Sequence, residues 1–281
     1  MLNLVISLPG YFFKRMIHYK TEEEIALMRV SALLVSSTLA EVAKILKAGI
    51  TTLSIDKLIG EYIKDNGAIP SFLNYHGYPF NSCLSVNDVV VHGFPNKREL
   101  REGDIISVDV GIYKNRYHGD HAYTFMIGEP QRDVIDLVNI TKESLYKGIE
   151  KAVAGNRMGD LSYAIQEHTE KKHGYGVVRE LVGHGIGKDM HEDPQVPNYG
   201  RRGTGAVLKE GLTVAIEPMI NLGKKEVYTD KDGWTVRTAD GKVSVHFEHD
   251  VCVRKSKADV LSDYTPIETS EKTNPNLFSD Y

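Results

Sequence analysis

Two aspartates, Asp109 and Asp120, lie on either side of a short polar stretch in an otherwise strand-like run. It reads Ser107-Val-Asp-Val-Gly-Ile-Tyr113, then Lys114-Asn115, then Arg116-Tyr-His-Gly-Asp120-His-Ala-Tyr-Thr-Phe125. A two-residue loop is the commonest connection between antiparallel strands. Placed at Lys114-Asn115, it sets Tyr113 opposite Arg116 and Asp109 opposite Asp120. Like charges directly opposed on one sheet face are destabilising. A shared divalent ion would relieve that repulsion, because hard cations take oxygen ligands. The hairpin alone is equally consistent with two solvated strand residues, or with a register shifted by one.

Three later strings add to the set: Gly183-His184-Gly-Ile-Gly187, Ala215-Ile-Glu217-Pro-Met219 and Val245-His-Phe-Glu248-His-Asp250. In the last two the acid sits in an apolar, β-branched run. Val243, Val245 and Phe247 alternate with Ser244, His246 and Glu248, and Leu212, Val214 and Ile216 with Thr213, Ala215 and Glu217. Each glutamate therefore shares a face with its small or polar neighbours. Carboxylates in such runs are rarely buried unless paired.

The set Asp109, Asp120, His184, Glu217 and Glu248 resembles the five-ligand site of the methionine aminopeptidases, type I. The surrounding strings match too: Val91-His92-Gly93, His118-Gly119-Asp120, His191-Glu192-Asp193-Pro194, Asp232-Gly233-Trp234 and Phe247-Glu248-His249. The likeness runs from about Met16 to Glu268. It implies the α+β pita-bread fold shared with prolidase, aminopeptidase P and creatinase. That fold has two pseudo-symmetric halves, with antiparallel sheet inside and helices outside.

The resemblance also implies a chemistry. Two divalent ions (Co, Mn, Fe or Zn) activate a hydroxide and polarise the scissile carbonyl together. Asp109 binds one ion, His184 and Glu217 bind the other, and Asp120 and Glu248 bridge them. Glu217 is also the general base. His191 faces the carbonyl and the developing oxyanion, and His92 faces the amide nitrogen beyond it. Tyr75, Tyr78, Cys83 and Trp234 form the methionine pocket, with Phe72 and Met190 at positions that vary. Aromatic edges suit a thioether. Asn87, Val89 and Ser244 match positions that hold a monovalent cation (Na or K). His246 or His249 would orient ligands from behind.

The substrate class is then the N-terminal methionine of nascent proteins whose second residue is small, met near the ribosome by a cytoplasmic monomer. A proline-directed peptidase of the same fold and a non-enzymatic module of the same fold are the alternatives. The short His184-to-Glu217 spacing leaves no room for the type II helical insertion. The segment Asp120-His121-Ala122-Tyr123 departs from the small residues expected there, which bears on local packing.

Composition agrees. The chain has 281 residues, with 34 basic against 38 acidic side chains and a net charge of −4. Nothing in it predicts specific nucleic-acid binding. Cys83 and Cys252 stand alone without a Cys-x-x-Cys, which fits a reducing compartment. Met1 to Phe13 is apolar but lacks a charged n-region and a cleavage site, so residues 1–15 read as an extension, with Met16 a candidate start.

The elements that must position these residues come in a repeated order. Thr21 with Glu24 forms a capping box for a helix running to about Lys47. A second helix spans about Leu53 to Asn66, and strands fill about Ser82 to Ile127. Helices then recur at about Asp133 to Val153 and Leu161 to His173, before strands to Val253. Residues 16–268 are expected to form one catalytic domain. The polar tail, 269–281, is expected to be disordered.

Overall fold

The computed structural model describes residues 17–279. The expected extension, residues 1–15 with Met16, lies outside the described residues. The Thr21 hydroxyl accepts from the Glu24 amide at 3.3 Å, and the Glu24 carboxylate accepts from the Thr21 amide at 3.0 Å, which completes the capping box. Helix α1, Glu22–Ile45, follows. Its buried residues Ile25, Met28, Ala32, Val35, Leu39 and Val42 recur at three- and four-residue steps, the spacing of one apolar helix face. By composition α1 is long and apolar enough to cross a membrane. Its apolar face is instead buried in the cores it shares with the sheets.

Helix α2, Thr52–Asp65, completes the first pair. The second pair is α3, Arg132–Ile149, and α4, Met158–Gln166, which continues as a π turn over Glu167–Lys171. The repeat extends to the loops. Gly49 and Gly155 both adopt positive φ, and their amides donate to Leu100 and Leu208 at 2.8 and 3.0 Å.

Two five-stranded sheets carry the polar strings of the sequence, and every pairing between their strands is antiparallel. The first is built on the hairpin Ile105–Lys114 and Tyr117–Ile127. The second runs in the order Asp259–Val260, His249–Cys252, Thr213–Ile216, Gly183–Gly185 and Glu192–Val196. Two three-stranded sheets flank them. The halves join where the segment after Ser244–His246 meets the hairpin. The Glu248 amide donates to the Ala122 carbonyl at 3.1 Å, and the Thr124 hydroxyl donates to the His246 carbonyl at 2.7 Å.

Two sequence expectations need correction. The hairpin loop is Asn115-Arg116 and not Lys114-Asn115: Lys114 pairs with Tyr117, Asp109 with Ala122, and Asp120 with Gly111. Asn115 and Arg116 have φ of 52° and 71°, as a type I′ turn requires. The shift moves the partner by two positions, so both aspartates keep their common face as diagonal neighbours. The tail is also ordered through Ser279. Helix α5, Thr265–Thr273, packs on α1, and Leu277–Phe278 pairs with Met126–Ile127 at the hairpin edge. The Asn274 side chain donates to the Ala43 and Leu46 carbonyls, both at 2.8 Å, and so caps the C-terminus of α1.

Candidate metal centre

Each of the five expected ligands is carried by a strand or lies one or two residues from a strand end. Asp109 and Asp120 project from the hairpin face that also carries Ala122 and Thr124. His184 is centred in a three-residue strand and pairs with Ala215, two residues before Glu217. Glu248 sits in the break between Ser244–His246 and His249–Cys252. Ligand atoms of Asp120, His184 and Glu248 all lie within 4.8 Å of one another. The His184 Nε2 is 4.0 Å from Asp120 and 3.7 Å from Glu217. Its Nδ1 donates to the neighbouring Gly185 carbonyl at 2.9 Å. That fixes the ring with a free lone pair on Nε2, the form a metal needs.

The electrostatics explain what such a cluster is for. Asp109, Asp120 and Glu248 are buried. Burial pushes the Asp109 carboxyl up to about 7 and the Glu217 carboxyl up to about 8. Asp120 and Glu248 are raised well above the usual range, first by burial and then by the neighbouring carboxylates. One oxygen each of Asp109 and Asp120 is buried without a hydrogen-bond partner. Burial lowers His184 to about 3, so it stays neutral. Orphaned carboxylate oxygens around a neutral imidazole fit divalent cations, with the oxygen-rich set favouring Mn, Fe or Co over a thiolate-type zinc site.

Other groups hold this set in place. Asp250 accepts the Asp120 amide at 2.8 Å, and Asn198 donates to the Glu217 carbonyl at 2.8 Å. The Tyr264 hydroxyl lies 2.7 Å from both the Ala122 and Glu248 carbonyls and receives the Glu248 amide at 3.0 Å. Sequence reasoning missed all three residues. For Asp250, the signal was an acid in the same apolar run as Glu248. Of the two histidines expected behind the ligands, His246 is the one in place. Its Nε2 lies 3.5 Å from Glu217 and 3.9 Å from Glu248. His249 turns away to Ser262 and Tyr146.

A cavity of about 190 Å³ opens onto the cluster. His92, His191, Tyr75, Tyr78, Cys83 and Trp234 all line it, as does Phe72. Met190 packs behind, in one apolar cluster with Phe72, Tyr78 and Cys83. Leu181, Val182, Val91 and Met219 complete the wall; the sequence reading had not included them, although Leu181-Val182 immediately precedes the Gly183-His184 string. The Tyr78 and Trp234 rings meet edge to face at 5.2 Å. Asp232 accepts the Trp234 and Thr235 amides at 2.9 and 2.8 Å, which fixes the loop that carries the indole. Asn87 and Ser244 also come together, through a 2.9 Å main-chain bond from Ser244 to Asn87.

The model for metallopeptidase family M24 matches residues 26–255. The chain belongs to metallopeptidase family M24. Within M24 it is similar to the methionine aminopeptidase of Clostridium acetobutylicum, 49% identical over 88% of this chain and 99% of that protein. It is also similar to the crystal structure of methionine aminopeptidase from Rickettsia prowazekii. The TM-score is 0.87 and the identity 39%, covering 88% of this chain and 100% of that one. These relatives place this M24 chain with the methionine aminopeptidases and confirm the pita-bread fold. Prolidase from Pyrococcus furiosus, at 24% identity, a TM-score of 0.71, and 87% and 65% coverage, shares the fold alone.

Proposed function

We propose that this M24 chain is a metal-dependent aminopeptidase that removes the N-terminal methionine from nascent proteins when the next residue is small. The observation that carries this reading is the carboxylate–imidazole cluster at the floor of an apolar, aromatic cavity. Asp109, Asp120, His184, Glu217 and Glu248 would hold two divalent ions. When bound, the ions supply Lewis-acid activation of water and of the scissile carbonyl.

The chain's own residues do the rest. Tyr78, Cys83 and Trp234 enclose the methionine side chain, with Tyr75 at the mouth. Glu217 takes a proton from the attacking water and returns it to the leaving amine. Its carboxylate stands at the cluster, 3.7 Å from the His184 Nε2, at the floor of the cavity where both transfers would occur. His191 donates to the carbonyl oxygen as charge develops there, and His92 contacts the amide nitrogen. Asn87, Val89 and Ser244 would bind a monovalent cation through the loop that their main-chain bond closes. The enzyme acts as a cytoplasmic monomer.

The test is hydrolysis of Met-Ala-Ser and Met-Lys-Ser by metal-stripped protein with Mn or Co added, beside an Asp120→Asn control. Methionine should be released from the first peptide only, and not by the control. Folded protein that releases nothing with any divalent ion would overturn the aminopeptidase reading. Release of Xaa from Xaa-Pro peptides instead would favour the proline-directed activity.

A further inference from the structure

His191 is an expected catalytic residue with a hydrogen-bond partner outside the carboxylate cluster. It stands at the cavity mouth, with its ring between Tyr75 and His184 at centroid distances of 5.2 and 4.1 Å. The Tyr75 ring stacks on it at an interplanar angle of 29°. The Tyr75 hydroxyl lies 2.7 Å from the His191 Nδ1.

The loop that delivers Tyr75 is unusual. Asn74 and His76, on either side of Tyr75, have φ of 67° and 49°. A non-glycine residue in the left-handed region carries strain, and such strain persists only where the surroundings over-determine it. Here two short main-chain bonds lock the turn, Asn74 to Tyr78 at 2.7 Å and Tyr75 to Phe72 at 2.9 Å. The turn so held brings the phenol to the His191 Nδ1. A pocket wall for a flexible thioether does not need that precision.

The chemistry of the pair sets its direction. An unprotonated imidazole nitrogen is a strong acceptor and a phenol O–H a good donor, whereas a phenol oxygen is a poor acceptor. The arrangement in which the hydroxyl donates to Nδ1 leaves the ring proton on Nε2. A neutral imidazole can help an oxyanion only through the nitrogen that carries its proton.

We propose that Tyr75 is a positioning residue as well as a pocket wall: its hydroxyl fixes the tautomer and orientation of His191, so that Nε2–H serves as the donor to the substrate carbonyl. The proposal rests on the aminopeptidase reading for its kinetic consequence but not for its hydrogen bond.

The experiment uses full-length, zinc-loaded protein labelled with ¹⁵N-histidine, with His191 assigned by a His191→Asn variant. Long-range ¹H–¹⁵N correlation should show His191 with Nε2 protonated and Nδ1 as a hydrogen-bonded acceptor. In Tyr75→Phe, which keeps the ring and its stacking, the Nδ1 resonance should move toward the free-imidazole position. In the same variant kcat should fall about ten- to a hundredfold, the size expected when the hydrogen bond that orients a functional histidine is lost, while KM for Met-Ala-Ser stays within about twofold. A protonated Nδ1 in the parent protein overturns the proposal. So does an Nδ1 resonance that Tyr75→Phe leaves in place, or a loss confined to KM. If the parent protein shows the expected tautomer yet hydrolyses no methionyl peptide, the functional reading fails while the hydrogen-bond assignment survives.

Discussion

Burial alone would put protons on the clustered carboxyls at neutral pH, and a divalent cation competes with those protons for the same oxygens. The metal-free protein shows the consequence most directly. Asp109 rises from its ordinary 3.8 to about 7, and Glu217 from 4.5 to about 8. As pH rises through that window the unfolded chain gives up these protons first, so the folded state binds more of them. Stability contributed by these groups is complete below their ordinary values and is lost as pH passes through the raised ones. Protein stripped with EDTA should therefore melt at a lower temperature at about pH 8 than at about pH 6, and saturating Mn should abolish most of the difference. An equal or higher melting point at the more alkaline pH would contradict the buried-carboxylate account. The clustering of these side chains was expected from their resemblance to the family's ligand set, with acids in β-branched runs as the local signal. Asp250, Asn198 and Tyr264 were not, because their bonds run to main-chain atoms far away in the chain and leave no spacing pattern.

Among the elements, the central hairpin and the helix across it make the sharpest demands. At Gly119, beside Asp120, an added Cβ would lie 2.4 Å from the Ala32 amide nitrogen of α1. Backbone cannot yield as a flexible side chain does, so Gly119→Ala should cost about 1–3 kcal/mol or more by overpacking. Urea denaturation of the two proteins measures this, and a change within error would show that α1 rides more loosely than described. In the turn, Arg116 sits at φ 71°, where a type I′ loop favours glycine. Arg116→Gly relieves about 1–2 kcal/mol of left-handed strain against about 0.5–1 kcal/mol of added unfolded-chain entropy, so it should stabilise by up to about 1 kcal/mol, seen as a higher thermal midpoint with activity unchanged; a lower midpoint would refute it. The same turn explains the misread register. Lys114-Asn115 and Asn115-Arg116 both place asparagine in the loop, and arginine rarely occupies the left-handed region. The error did not disturb the site, since a two-residue shift along the partner strand preserves the face on which each side chain lies. The helices were legible from apolar spacing and from the Thr21–Glu24 cap. Their ends differ from expectation by a few residues: α3 ends at Ile149 rather than Val153, and α4 begins at Met158 rather than Leu161.

Across the whole molecule, the C-terminal segment is the part that composition misrepresented. The string after Glu268 is polar, and polarity ordinarily signals disorder. Here the polar groups make the contacts. Tyr123 donates to Glu271 at 2.9 Å, Lys142 reaches Glu268 at 2.7 Å and Tyr123 at 3.2 Å, and Asn274 caps α1. Tyr123 and His121 are the residues that depart from the small ones expected after Asp120. Both lie on the hairpin face away from the ligands, His121 facing Ser36 of α1 at 3.3 Å. The packing change therefore falls under the helices and leaves the ligand face intact. Tyr264, at the head of this segment, is the molecule-scale test. Tyr264→Phe removes a hydroxyl that bonds a main-chain carbonyl of each half. It should destabilise by about 1–3 kcal/mol and weaken metal binding about tenfold, read by urea denaturation and by isothermal titration. Unchanged affinity would mean that the halves hold their ligands without this tie.

That tie has a consequence for how the protein comes into being. The ligands are strung from Asp109 to Glu248, and the hydroxyl that binds their strands together follows at Tyr264, just before α5. A half-translated copy holds fragments of the site and no site. The cluster and its tie can close only once synthesis has passed Tyr264, so a growing copy carries these residues in pieces.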